Sequence, residues 1–198
     1  MFADGKQCDR SFTTLLEELA MARRVQIGVM GSCADLQYTE LVAKQAEALG
    51  RCIAQKGSVL FFGAEKDCDS LSTAACRGAK SADGLTVGVT YGKRKDIVEK
   101  DADVIIPTGM ERGGGREFVL VLCCDAVITI SGGSGTLNEL VVAYQADIPM
   151  VALCGTGGWS DKTADTYIDG RNRRKVVAAT SPEEAVEIAY QMALEYIE

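Results

Sequence analysis

The stretch Ser131-Gly132-Gly133-Ser134-Gly135-Thr136-Leu137-Asn138-Glu139 joins a glycine turn to a carboxylate. The apolar run Ala126-Val127-Ile128-Thr129-Ile130 precedes it and Leu140-Val141-Val142-Ala143-Tyr144 follows, so it reads as strand, turn and helix. Glycines allow positive φ and close backbone approach. A helix N-terminus behind them presents unpaired N–H groups and a partial positive charge, which suit an anion. Gly132, Gly133, Ser134, Gly135 and Thr136 are therefore candidate phosphate contacts, with Glu139 one turn further on. A phosphate cradle beside a carboxylate points to chemistry on a phosphorylated small molecule. Thr136 and Glu139 also fit a capping box, worth about 1 kcal/mol. Capping leaves the three preceding glycines unexplained.

Three further stretches could join this site. In Arg112-Gly113-Gly114-Gly115-Arg116, Arg116 opens a helix, where the dipole disfavours a cation unless an anion faces it. Its fork suits phosphate or carboxylate; an exposed loop arginine is the plain alternative. In Gly155-Thr156-Gly157-Gly158-Trp159-Ser160-Asp161, Trp159 could stack on a flat ring or cover the core. Gly31-Ser32 and Gly63-Ala64 each end a predicted strand and could add contacts, although no GxGxxG fingerprint is present.

Short apolar strands alternate with helical periodicity from residue 25 onward. Strands are predicted at Val25 to Met30, Ser58 to Phe62, Leu85 to Thr90, Asp103 to Pro107, Ala126 to Ile130, Pro149 to Cys154 and Val176 to Thr180. Helices are predicted at Tyr38 to Gln55, Ser70 to Ala82, Arg116 to Cys124 and Thr136 to Gln145, with a last one capped by Ser181 and carrying Pro182 at its first position. Phe12 to Arg24 reads as an extra helix within an N-terminal extension, residues 1–24. The pattern predicts one α/β domain over residues 1–198, a doubly wound, mostly parallel sheet of about seven strands with helices on both faces. Such folds bind ligands at the carboxyl ends of their strands, where most of the glycine-rich stretches fall.

The composition limits the partners. A net charge of −7 repels nucleic acid and anionic membrane. No apolar run reaches membrane-spanning length and no export signal opens the chain, so a cytoplasmic protein is expected. Eight cysteines include no CxxC pair, and histidine is absent, so no metal site is expected. Buried small hydrophobes in a reducing compartment account for them. Cys33, Cys68 and Cys154 nevertheless follow or end predicted strands, which leaves a soft-metal or reactive-thiol cluster as the alternative.

Ser131 to Glu139 resembles the PGGxGTxxE motif of the lonely-guy phosphoribohydrolases, long mislabelled as lysine decarboxylases. Arg116 stands where those proteins carry an arginine upstream of the motif. With the Gly155 to Asp161 loop, the chain resembles more closely a sister branch that includes molybdenum-cofactor carrier proteins. The resemblance implies a Rossmann-like fold, a homodimer, no required cofactor, and a nucleotide or molybdopterin as bound ligand. In the enzymes, the arginine and the glutamate cleave the N-glycosidic bond of a nucleoside 5′-monophosphate. Carried over, Arg116 would orient substrate, and Glu139 would stabilise an oxocarbenium-like transition state or activate water, as in glycosidases. The absence of histidine argues against a pyridoxal-phosphate decarboxylase.

Three departures separate the chain from the enzymes. Ser131 replaces the motif proline, and Asn138 replaces an acidic residue. Gly63-Ala64-Glu65-Lys66-Asp67-Cys68-Asp69 replaces a loop with more glycines and fewer acids. The expected function is therefore binding of a phosphorylated heterocycle, a nucleotide or a pterin. The alternative is a phosphoribohydrolase using Arg116 and Glu139.

Overall fold

The computed structural model describes residues 23–197. The helix expected over Phe12 to Arg24 lies outside these residues, apart from Arg23 and Arg24, which are not helical. Seven strands form one all-parallel sheet: β1 (Gln26–Gly31), β2 (Val59–Gly63), β3 (Thr86–Thr90), β4 (Val104–Pro107), β5 (Ala126–Ile130), β6 (Met150–Leu153) and β7 (Val176–Ala179). The order is β4-β3-β2-β1-β5-β6-β7. Winding runs outward from β1 in both directions, so the switch point lies between β1 and β5.

Period-two alternation divides the strand residues between two cores. Ile27, Val29, Leu60, Phe62, Ile128, Ile130, Val151 and Leu153 pack on one face. They meet α1 (Glu40–Gln55), α2 (Leu71–Lys80) and α6 (Pro182–Ile197). Met30, Phe61, Val87, Val89, Val127, Met150 and Ala152 pack on the other. They meet α3 (Arg116–Leu122) and α4 (Ser134–Gln145). The predicted doubly wound α/β fold is thus observed, with helices on both faces. No described helix is long and apolar enough to cross a membrane.

Local signals explain the helix ends. Thr39 caps α1 by accepting from the Val42 N–H at 3.3 Å, so this helix starts after Tyr38. Ser70 caps α2 by accepting from the Thr73 N–H at 3.0 Å. Ser181 accepts from the Glu184 N–H at 3.2 Å, while the Glu184 carboxylate takes the Thr180 N–H at 2.7 Å. One helix was missed: α5 (Gly158–Thr163) forms inside the stretch read as a glycine loop.

The layer under the site depends on an unusually close helix pair. A Cβ on Gly78 of α2 would lie 1.8 Å from the Glu47 carbonyl oxygen of α1, and one on Gly50 would lie 1.8 Å from that of Ala75. Gly78, which weakens α2 by propensity, is therefore the residue that lets the backbones touch. Alanine in a helix gains about 1 kcal/mol over glycine. Overpacking against backbone costs about 1–3 kcal/mol or more. Gly78→Ala is expected to destabilise the protein by a net 1–2 kcal/mol or so in urea unfolding, whereas stabilisation would contradict the close crossing.

Candidate functional site

The carboxyl ends of β1, β2, β3 and β5 surround a cavity of about 430 Å³. That is within the range of small-ligand sites, and its place at the switch point is where open α/β sheets bind ligands. Gly31 and Ser32 reach it from β1, Gly63 and Glu65 from β2, and Tyr91 from β3. Arg112, Arg116, Glu117, Gly133, Ser134, Gly135, Thr136 and Glu139 complete most of the lining.

The glycine turn presents the start of α4 to this cavity. Gly133 is the N-cap and offers no side-chain acceptor, so the first-turn N–H groups lack a protein cap. Thr136 and Glu139 thus form no capping box; α4 begins two residues before Thr136. A Cβ on Gly135 would meet nothing within 4 Å, so the turn is open there. Gly132 is buried, with φ of 99°, and its N–H donates to Ser32 Oγ at 2.8 Å. Ser32 Oγ donates to Ser131 Oγ at 3.1 Å, and the Ser131 N–H donates to Thr156 Oγ1 at 2.8 Å.

Gly132, whose N–H is taken by Ser32 Oγ, does not line the cavity. Gly157 and Trp159 do not line it either. The reason is Asp161, whose carboxylate accepts from the N–H groups of Gly155, Thr156 and Gly157 at 2.8, 3.3 and 3.0 Å. This folds the loop back on itself. Trp159 and Ser160 then donate their N–H groups to the Gly132 and Ser131 carbonyls at 3.0 and 2.8 Å. The loop braces the glycine turn from behind, and the Trp159 ring lies against Lys162.

A buried charge cluster forms the cavity wall. The Arg116 side chain is only 6% exposed. Its Nη2 donates to Glu65 Oε1 at 3.0 Å and to the Tyr91 hydroxyl at 2.6 Å. Its Nη1 lies 3.8 Å from Glu139 Oε1. Tyr91 donates in turn to Glu117 Oε1 at 3.0 Å. Arg112 reaches the other Glu65 oxygen at 3.1 Å. Gly63 makes this possible, since a Cβ there would fall 2.2 Å from Arg116 Nη1. Arg116 Nε and Glu117 Oε2 are buried without a hydrogen-bond partner.

Burial disfavours the charged form of Arg116, but Glu139, Tyr91 and Glu65 outweigh it and hold the guanidinium firmly protonated. Burial pushes Glu139 up to about 7; Arg116 opposes this, while Glu117 and Glu65 add to it. A carboxyl group titrating there can donate or accept a proton near neutrality.

The structure therefore brings Arg116, Glu139, Gly31, Ser32, Gly63, Gly133, Ser134, Gly135 and Thr136 to one cavity. Sequence reasoning missed the inward roles of Glu65, Tyr91 and Glu117. Tyr91 directly follows β3, so the convergence of strand ends was the signal for it. Cys33 and Cys68 also come together, with Glu65 rather than Cys154 as their third neighbour.

The model of the SLOG cluster4 family matches residues 24–186, most of the chain. The chain belongs to the SLOG cluster4 family. An uncharacterized protein of Archaeoglobus fulgidus is 36% identical over 123 residues, which are 61% of this chain and 74% of that one. Two solved structures are similar. The molybdenum cofactor binding protein of Rippkaea orientalis superimposes with a TM-score of 0.73 at 31% identity, covering 87% of this chain and 99% of that one. The molybdenum cofactor carrier protein of Chlamydomonas reinhardtii gives a TM-score of 0.72 at 28% identity, with the same coverages.

The protonation of Glu139 links to stability with a definite sign. Its folded-state pKa of about 7 lies above the ordinary value of 4.5, so the folded state holds the proton more tightly. The stabilising contribution is complete below the ordinary value and is lost as pH rises through the folded one. Glu139→Gln lacks this loss. Its stability relative to the parent is expected to improve from about pH 5 to about pH 8 by on the order of 1–3 kcal/mol. Denaturant unfolding at both pH values checks this, and a constant difference would contradict it.

Proposed function

We propose that this protein binds a phosphorylated heterocycle, a nucleotide or a pterin cofactor, with the phosphate on the N-terminus of α4. The observation that carries the reading is the uncapped α4 terminus, bordered by Gly133 and the open Gly135, facing a cavity lined by two arginines. The named functions of the Rippkaea and Chlamydomonas relatives support the pterin branch. Molybdopterin would be cargo here. The wall of Arg116, Tyr91, Glu117 and Glu139 offers hydrogen-bond partners to the edge of a ring. The orphaned Glu117 Oε2 is an acceptor for a ring N–H or amino group.

Hydrolysis of a nucleoside 5′-monophosphate is the second reading. It is favoured by the 3.8 Å approach of Arg116 and Glu139 and by the near-neutral titration of Glu139. Glu139 would then stabilise positive charge at the sugar carbon or take a proton from water. Glu65 weighs against this reading: it occupies Arg116 with a built-in anion and leaves that fork less free for substrate.

Titration and product analysis with nucleoside 5′-monophosphates and a pterin phosphate separate the two readings. Binding alone gives saturation without ribose 5-phosphate. Hydrolysis gives ribose 5-phosphate, lost in Glu139→Gln with little change in affinity. Gly135→Asp places a negative charge at the turn, where the space is open. It is expected to weaken phosphate-ligand binding at least about tenfold while leaving the unfolding midpoint unchanged. Unaltered affinity in that variant would overturn the assignment of the phosphate to α4.

A further inference from the structure

Cys33, Cys68 and Glu65 lie outside the phosphate turn but share the cavity's β1–β2 edge. Cys33 Sγ, Cys68 Sγ and a Glu65 carboxylate oxygen all fall within 4.8 Å of one another. Cys33 and Glu65 line the cavity. We propose that these three residues bind a zinc ion in the cavity wall, leaving its fourth position open toward the cavity.

The donor set is chemically apt. Zinc takes thiolate and carboxylate ligands in tetrahedral geometry, and sites with three protein ligands keep one position for water or substrate. Zinc–sulfur bonds of about 2.3 Å place tetrahedral donors roughly 3.8 Å apart. The observed spread of 4.8 Å or less closes to that with movement of about 1 Å.

The donors are held by the fold rather than by a flexible loop. The Ala34 N–H donates to the Asp69 carbonyl at 2.9 Å, and the Leu71 N–H donates to the Ser32 carbonyl at 2.9 Å. Cys33 also bridges to Ser70. These contacts tie the segment after β1 to the segment after β2, on either side of the two sulfurs. Glu65 is fixed by Arg112 and Arg116, one on each oxygen. A carboxylate has about four lone-pair sites, so one remains for a metal on either oxygen.

A divalent cation displaces the thiol protons when it binds. Two thiolates and one carboxylate around zinc leave one net negative charge, against which Arg112 and Arg116 already stand.

The test is cobalt substitution in reduced, metal-free protein. One Co²⁺ per chain is expected, with a sulfur-to-cobalt charge-transfer band and the visible bands of a tetrahedral site. Zinc should displace it and raise the unfolding temperature of the parent protein. Cys33→Ser and Cys68→Ser should each abolish the charge-transfer band, and Cys154→Ser should leave it intact. Unfolding midpoints measured without metal establish that the serine variants are folded. Should one of them not fold, alkylation of the parent decides: cobalt must protect Cys33 and Cys68 together, as read by peptide mass. Absence of the band, its survival in either serine variant, or protection of other cysteines instead would overturn the proposal. So would a Cys33–Cys68 disulfide formed readily in a protein that binds no metal when reduced.

Discussion

Arg116 is the interaction on which the site depends. A guanidinium 6% exposed must be neutralised and hydrogen-bonded, because an unpaired buried charge costs several kcal/mol. Glu65, Tyr91 and Glu139 meet that requirement from three different elements. The ends of β2 and β3, the first turn of α3 and the second turn of α4 are thereby tied together. The same cluster sets the chemistry: Glu139 titrates near neutrality because burial and two neighbouring carboxylates outweigh its one cation. The groups that line the cavity also hold its wall in place.

The sheet order makes this cluster possible. Winding outward from β1 leaves a gap beyond the β1 and β5 ends, where the first turn of α4 can face a ligand. Gly63 clears the space taken by the Arg116 guanidinium, and Gly132 adopts a φ of 99° at the turn. Behind that turn, α5 supplies rigidity through the Trp159 and Ser160 N–H groups. A backbone cradle holds its N–H groups in place only if it does not relax, and this bracing provides that.

The fold was largely legible because strand alternation and helix caps are local. The order of strands and helices, the Ser181 cap and the doubly wound fold all follow from neighbours in sequence. Arg116 and Glu139 were legible because each breaks a local expectation: a cation at a helix start, and a carboxylate after surplus glycine. In the sequence Glu65 is one acid among three in a loop. Its inward turn onto Arg116 depends on residues 51 positions apart, and no local pattern encodes that. Trp159 shows the opposite case. Glycines around an aromatic residue fit a binding loop as well as a cover for the core, and Asp161, four residues after Gly157, captures the loop's own N–H groups. The same long-range convergence joins Cys33 to Cys68, while Cys154 ends apart from them.

In the proposed binding mode the α4 terminus recognises phosphate and the arginine–glutamate wall recognises a ring. Calorimetric titration of a nucleoside 5′-monophosphate against the same nucleoside without phosphate, at fixed ionic strength, decides whether it does. If so, the phosphate group raises affinity by about a hundredfold, or close to 3 kcal/mol. Inorganic phosphate should then compete with the nucleotide and not with the nucleoside. Equal affinities for the two ligands, with no competition by phosphate, would contradict it.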